Sequence, residues 1–226
     1  MQSGPVRRCY TCALRELREP VRPTCDTCDG ALEPDGRCRN PICNLPPDER
    51  WFQWVWAIAS NTGELQRAIR RYKYQGAWGW SLIFGRVVAG YLERNATIFI
   101  NYDLIVPSPT FTRIDGAARD HTGAILRAAA NESAVVWPFA DDIVVKTELT
   151  PKLASTTSRH ERRRIAESSL RSALHVPDPA RVAGRRVLVF DDIFTGGHTL
   201  REIARALMLA GAVEVSELVL ARQPWA

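Results

Sequence analysis

This sequence predicts an α/β fold: a parallel sheet flanked by helices, with a small cysteine-rich module in front. Three observations lead there. After residue 50, short apolar runs of strand length alternate with segments of helical period. All six cysteines fall within the first 43 residues. Hydrophobic residues make up 46% and charged residues 24% of the 226 positions, an ordinary balance for a folded chain and too apolar for a disordered one. At roughly 100–200 residues per domain, this length suits one main domain plus an appendage. The division expected is 1–48 for the cysteine module and 49–226 for the α/β domain.

The cysteines stand as Cys9-x2-Cys12, Cys25-x2-Cys28 and Cys38-x4-Cys43. Close-spaced thiol pairs can point four thiolates at one tetrahedral zinc, and a segment this small needs the metal's binding energy to fold. Cys25, Cys28, Cys38 and Cys43 are the favoured set, because the Glu33-Pro34-Asp35-Gly36 turn can close a hairpin between the two pairs. Cys9 and Cys12 are alternates: they can replace one pair, form half of a second ribbon, or act as a redox CxxC. The zinc read here is structural, since four protein ligands leave no open position.

Pro46-Pro47 marks the boundary, and Trp51–Ser60 follows as an aromatic strand in which Phe52, Trp54, Trp56 and Ile58 share one apolar face. Asn61 or Thr62 can cap a helix to about Tyr72, with Arg67, Arg70, Arg71 and Lys73 at its C-terminal end. Ser81–Arg94 reads as a second helix with Leu82, Phe84, Val88 and Leu92 buried. Asp103–Val106 is a strand stopped by Pro107-Ser108-Pro109, Asp115–Ala130 a helix and Ile143–Lys146 a strand. From Thr147 to about Arg171 the chain is polar and reads as a long loop, helical near 159–171. Arg186–Phe190 is an apolar strand, and the helix after Thr199 presents Leu200, Ile203, Leu207 and Met208 and ends at Gly211. Val213–Leu220 is the last strand.

Charge is concentrated in one place. The net formal charge is +5, and residues 151–171 hold Lys152, Arg159, Arg162, Arg163, Arg164 and Arg171 against Glu161 and Glu167. No run approaches the ~18 apolar residues of a membrane helix, so no membrane partner is expected. The opening MQSGPVRRC lacks the apolar core of a signal peptide, and the expected location is cytoplasmic.

The chemistry is concentrated in Val187-Leu188-Val189-Phe190-Asp191-Asp192-Ile193-Phe194-Thr195-Gly196-Gly197-His198-Thr199. An apolar strand fixes the frame, and two carboxylates at its end can accept hydrogen bonds from vicinal hydroxyls. A Thr/Gly loop then opens a helix whose bare N–H groups and dipole can hold a phosphate dianion. Gly196 and Gly197 permit close backbone approach and positive φ, and Thr195 and Thr199 add hydroxyl donors. No Gly-Lys-Ser/Thr follows the glycines, which excludes a Walker A loop.

This stretch resembles the phosphoribosyl diphosphate (PRPP) motif of type I phosphoribosyltransferases, with Gly196 where that family usually has Thr. With the cysteine module in front, the chain resembles the ComF family, competence-associated proteins that pair a zinc ribbon with a phosphoribosyltransferase domain. Lys73-Tyr74-Gln75-Gly76 looks like that family's Lys-Tyr-x-Gly, Val106-Pro107-Ser108-Pro109 like its Val-Pro-x-Pro, and 159–164 like its basic mobile loop. Ala117-Ala118-Arg119-Asp120-His121 aligns with an Arg-Gly-aromatic-Asn/Asp-Gln/His motif, keeping only Asp120 and His121.

The resemblance implies a type I phosphoribosyltransferase-like fold that binds Mg-PRPP and transfers ribosyl phosphate to an acceptor with release of diphosphate. It gives Asp191 and Asp192 the ribose hydroxyls and the growing positive charge of the sugar, and residues 195–199 the 5-phosphate, with His198 at a variable position. Lys73, Pro107, Ser108 and the arginines Arg159, Arg162, Arg163 and Arg164 fall to the diphosphate side, with Mg²⁺ held mainly by ligand oxygens. The rival expectation is a single-stranded DNA-binding accessory protein, or a partner of a competence helicase, that keeps the fold without the chemistry. A PRPP-sensing subunit that never releases diphosphate is a third.

Overall fold

A computed structural model describes residues 17, 20, 23–110, 120–150, 158 and 164–224. Four strands form a wholly parallel sheet: β1 (Val55–Ser60), β2 (Leu104–Pro107), and two longer strands, Arg186–Phe194 and Glu214–Arg222, in the order β1, Glu214–Arg222, Arg186–Phe194, β2. The expected parallel α/β architecture is therefore present, and both long strands lie inside the sheet.

Interior parallel strands are covered on both faces, so they read as continuous apolar runs rather than alternating ones. One face of the sheet carries Leu188, Phe190, Leu218 and Leu220 and is covered by α1 (Gly63–Tyr74), α2 (Trp80–Arg94) and α3 (His121–Glu132). The other carries Val187, Val189, Val215 and Val219 and packs against the helix His198–Leu209 and residues Cys28 and Ile42 of the cysteine module. Between α2 and α3 the backbones come close enough that a Cβ on Gly85 would lie 2.6 Å from the Cβ of Ala128.

Several sequence expectations are corrected. The Trp51–Ser60 strand begins only at Val55, because Trp51 has φ 72° and closes the helical turn Pro47–Arg50. Its apolar residues do not share one face: Val55, Ala57, Ile58 and Ala59 are all buried and Trp54 is 43% exposed. Trp56 packs edge-on to Phe99 and Tyr102, at 5.3 and 6.0 Å between ring centroids. Leu82 is exposed, on the outer side of α2. Asp120 does not belong to the body of a helix; it caps α3, accepting from the Gly123 N–H at 2.9 Å.

The strand expected at 143–146 shrinks to β3 (Val145–Lys146), which pairs antiparallel with β4 (Leu174–His175) in a separate two-stranded sheet. Beside β2 the chain instead places residues 138–140, where Ile105 bridges Phe139 in parallel. Pro138 has no N–H to give, so its carbonyl accepts from Ile105 at 2.8 Å and the Ala140 N–H returns to Ile105 at 2.9 Å. The strand expected at 186–190 is longer: β5 (Arg186–Phe194) carries both aspartates inside it, with Asp191 opposite Val219 of β6 (Glu214–Arg222). The helix after it is α4 (His198–Leu209). The polar segment is helical at its described end, with a π-turn at Ala166–Leu170 running into Arg171–Ala173.

Among the described residues, no helix is long and apolar enough to cross a membrane.

Candidate functional site

Asp191 and Asp192 are successive strand residues, so their side chains leave opposite faces of the sheet, and their surroundings differ accordingly. Asp192 is 3% exposed and is gripped by Lys73 from the last turn of α1, with Nζ at 3.0 and 2.8 Å from its two carboxylate oxygens. Burial pulls the Lys73 ammonium down, but Asp192 and Asp191 outweigh it and hold the group above the ordinary lysine value. Asp191 has no such partner. Burial and the neighbouring Asp192 carboxylate push it up to about 7, opposed by Lys73, the Asp192 N–H and the Ser108 side chain.

Lys73 and Ser108 thus both reach the carboxylates, by different routes. Ser108 follows β2, donates its N–H to the Phe190 carbonyl at 2.8 Å, and accepts at its own carbonyl from Thr122 Oγ1 at 2.8 Å. Pro107 lies opposite Phe190 at the end of the β2 ladder.

After Phe194 the chain turns through Thr195, Gly196 and Gly197 into α4. Gly197 adopts φ 82°, and a Cβ there would meet Phe194 Cζ at 2.8 Å and Ile42 Cδ1 at 3.5 Å, so only glycine fits without rearrangement. Gly196 does not share the positive φ expected of it. No side chain caps α4, which leaves its first N–H groups facing the loop.

Lys73, Asp191, Asp192 and residues 195–199 line one cavity of about 410 Å³, whereas Pro107 and Ser108 stay outside its lining. Glu217 also lines it, a residue that the sequence reading missed. Glu217 sits in the middle of β6, 2% exposed, with no hydrogen-bond partner for Oε2 among the described residues. Burial first, and Asp191 second, push its carboxyl well above the ordinary glutamate range. The available signal was a second acid, after Glu214, inside the mostly apolar stretch Val213–Leu220.

Of the histidines, His198 lines the cavity. His121 is packed between aromatic rings instead, 5.0 Å from Trp78 and 5.5 Å from Tyr72 between centroids, with Nε2 3.3 Å from the Lys73 carbonyl. Burial and then Lys73 lower its proton affinity, which makes it a neutral packing residue beside the site. Arg159, Arg162 and Arg163 lie outside the described residues, and Arg164 is exposed. The described end of the basic stretch is tied to α4: Arg171 forms a two-pronged pair with buried Glu202 at 2.7 and 3.0 Å, and Arg201 reaches Glu167 at 2.7 Å.

In the cysteine module the Glu33–Gly36 turn closes as expected, with the Gly36 N–H 2.8 Å from the Glu33 carbonyl. It brings together Cys25, Cys28, Cys38 and Cys43, whose sulfurs all lie within 4.8 Å of one another. A tetrahedral zinc with bonds of about 2.3 Å needs sulfurs about 3.8 Å apart, and the Cys28–Cys38 separation is 3.6 Å. Hydrogen bonds from Cys28 and Cys43 hold the Cys25 thiol far down, while burial pushes Cys38 up to about 12. The four residues fit the metal; Cys9 and Cys12 lie outside the described residues.

Arg222, also missed, joins the module to the cavity. It is 3% exposed. Its Nε donates to the Cys28 carbonyl at 3.0 Å, and Nη1 to the carbonyls of Thr195 at 2.9 Å and Gln223 at 2.8 Å. Its guanidinium lies 4.8 Å from the Phe194 ring centroid. The fold and site together define a parallel α/β protein with a carboxylate pair near the C-terminal end of β5 and a Thr/Gly loop after it, beside a four-thiol knuckle.

No family model matches the chain, and no curated protein does. Among solved structures it is similar to the allosteric regulatory enzyme of purine biosynthesis, at 21% identity over 62% of this chain and 25% of that one, with a TM-score of 0.36. It is also similar to the glutamine PRPP amidotransferase from B. subtilis complexed with ADP and GMP, at 22% identity over 52% of this chain and 22% of that one, with a TM-score of 0.33. The chain spans about a quarter of the length of these proteins.

Proposed function

We propose that this chain is a ComF-like, type I phosphoribosyltransferase-like protein that binds Mg-PRPP and transfers its ribosyl phosphate to an acceptor, releasing diphosphate. The observation that carries the reading is the continuity of β5, the Thr195–Gly197 loop and the uncapped start of α4 around one cavity. A sugar phosphate needs this order: carboxylates for vicinal hydroxyls, then backbone donors and a helix dipole for the dianion. Asp191 and Asp192 would stabilise positive charge developing on the sugar, an electrostatic contribution. Thr195, Gly196, Gly197, His198 and Thr199 would surround the 5-phosphate. Ser108 and Pro107 would flank the diphosphate, and Mg²⁺ would supply charge neutralisation on the ligand's own oxygens. Lys73 holds Asp192 in place and supplies the nearest cation. The zinc held by Cys25, Cys28, Cys38 and Cys43 would brace the loop mechanically.

Isothermal titration with PRPP and Mg²⁺ tests this. Binding by the zinc-loaded protein, abolished when Asp191→Asn and Asp192→Asn are combined, is expected; no heat from wild type sinks the reading. Release of diphosphate on adding candidate acceptors separates an enzyme from a PRPP sensor. Single-stranded DNA titrated across a salt series tests the accessory-protein rival, because phosphate contacts weaken steeply with salt.

A further inference from the structure

Glu217 is out of keeping with its strand. β6 runs between β1 and β5, with Val55 opposite Glu217 on one side and Val189 on the other. Val215 and Val219 flank it on the same face, within the apolar core. A carboxyl group buried there without a partner is unfavourable unless something completes it. Its Oε2 has no hydrogen-bond partner, and the residue lines the cavity that residues 195–199 and Asp191 share. The groups around it are Asp191 and Asp192 on β5, Arg222 on β6, and Lys73 and His198 across the cavity; β1 presents only Val55 and Ala57 alongside.

Two facts decide the state of this acid. Arg222, the cation that opposes these effects, gives donors to the carbonyls of Cys28, Phe194, Thr195 and Gln223, and among the described residues Glu217 Oε2 receives none. Asp191 adds negative charge on the same side. A second carboxylate there would be destabilised by burial and by repulsion, so the neutral acid is the state the site favours. The neutral acid carries an O–H donor, which an anion-binding cavity can use and a carboxylate would spoil.

We propose that Glu217, as the neutral acid, donates a hydrogen bond to an oxygen of the sugar phosphate bound in this cavity, making it a specificity-determining residue of the site. This rests on the reading of the cavity as a PRPP site and adds to it a donor on the sheet floor. Deprotonation would remove the donor and place a third carboxylate beside the phosphate. The site therefore selects phosphate esters only while Glu217 keeps its proton.

The test is titration of zinc-loaded wild type, Glu217→Gln and Glu217→Val with ribose 5-phosphate and with inorganic phosphate. Gln keeps a neutral donor of the same shape and Val keeps only the apolar surroundings. Near neutral pH, Gln should bind ribose 5-phosphate within about twofold of wild type and Val about tenfold more weakly, the scale of one hydrogen bond to an anion. As pH rises, wild type should fall behind Gln. Loss of inorganic phosphate binding in Val assigns the bond to the phosphate, and loss confined to ribose 5-phosphate assigns it to the sugar; both support the proposal. Val binding as tightly as wild type, Gln binding as weakly as Val, or a wild-type to Gln ratio constant with pH would each overturn it. Melting curves without ligand give an independent check. A folded state that holds the proton more tightly than the unfolded chain is most stable below about pH 4 and loses that advantage as pH rises. Wild type should then lose stability relative to Gln as pH rises above the ordinary glutamate range, and parallel curves would contradict a neutral Glu217. If wild type binds neither ribose 5-phosphate nor PRPP, the PRPP reading itself falls; if it binds and Val matches it, only Glu217 does.

Discussion

The cysteine knuckle and the cavity at the end of β5 are joined through Arg222, yet they balance their polar groups in opposite ways. In the knuckle, four thiols lie close to one another, a set that a single tetrahedral cation could complete. In the cavity the groups are unequal. Asp192 is satisfied by Lys73, Asp191 is partly satisfied by Ser108 and a backbone N–H, Glu217 Oε2 has no partner, and α4 begins uncapped. A site that satisfies itself serves as structure. A site left incomplete in several different chemistries is built for a ligand that supplies all of them together.

The largest effect expected is on the knuckle. Stripping zinc with a chelator, or Cys28→Ser, should remove several kcal/mol of apparent stability and lower the melting temperature by roughly 10 °C or more, since Cys28 and Ile42 belong to the core under β1 and α4. A melting curve unchanged by chelation would show that the knuckle is not the structural half of the pair. Next comes Asp192→Asn, which strands the Lys73 ammonium in a largely buried place and should cost about 2–3 kcal/mol in denaturant unfolding.

Arg222→Gln separates the two regions. It should leave zinc content at one ion per chain while weakening PRPP binding about tenfold, because the carbonyls of Thr195 and Cys28 lose their shared donor. Equal loss of zinc and ligand would merge the regions into one. Gly197→Ala should cost about 1–2 kcal/mol through its φ of 82°, with ligand affinity falling alongside.

The smallest effect is also the sharpest. Asp191 is raised to about 7, so its contribution to stability is fully present below the ordinary carboxylate range near pH 4 and is lost as pH rises through about 7. Asp191→Asn should flatten the melting temperature between these limits and be slightly the more stable protein near pH 8, the opposite of Asp192→Asn. Two adjacent aspartates with the same response to substitution would contradict the division drawn here.

Much of this was legible in the sequence wherever local pattern and tertiary demand agree. The strand before Asp191, the Thr/Gly loop and the Cys25–Cys43 set each announce themselves within about twenty residues, because turn chemistry and ligand spacing are local properties. The strand near 143 was misplaced because Ile143–Lys146 has better strand composition than Trp137-Pro138-Phe139-Ala140, while the position beside β2 is decided by which backbone groups Ile105 can pair with. Glu217 and Arg222 were invisible for a related reason. A charged residue in a strand that also carries Glu214 gives no sign of whether it faces solvent, and only the sheet order puts both in the interior.

Arg222 also bears on the order in which the molecule assembles. Its guanidinium bonds to the carbonyl of residue 28, 194 positions away along the chain, and to that of residue 195 in the loop. Joining such distant points demands the closure of a very long loop, whose entropy must be surrendered before the bonds return anything. Thiols spaced 3 to 18 positions apart can find one another early, whereas the ligand cavity cannot be complete until β6 has entered between β1 and β5. Until then two parallel strand edges stand bare, the state in which chains of this kind associate wrongly. Competence to bind ligand therefore reports the last event of folding, and a ligand that stabilises the cavity would act on the step most exposed to failure.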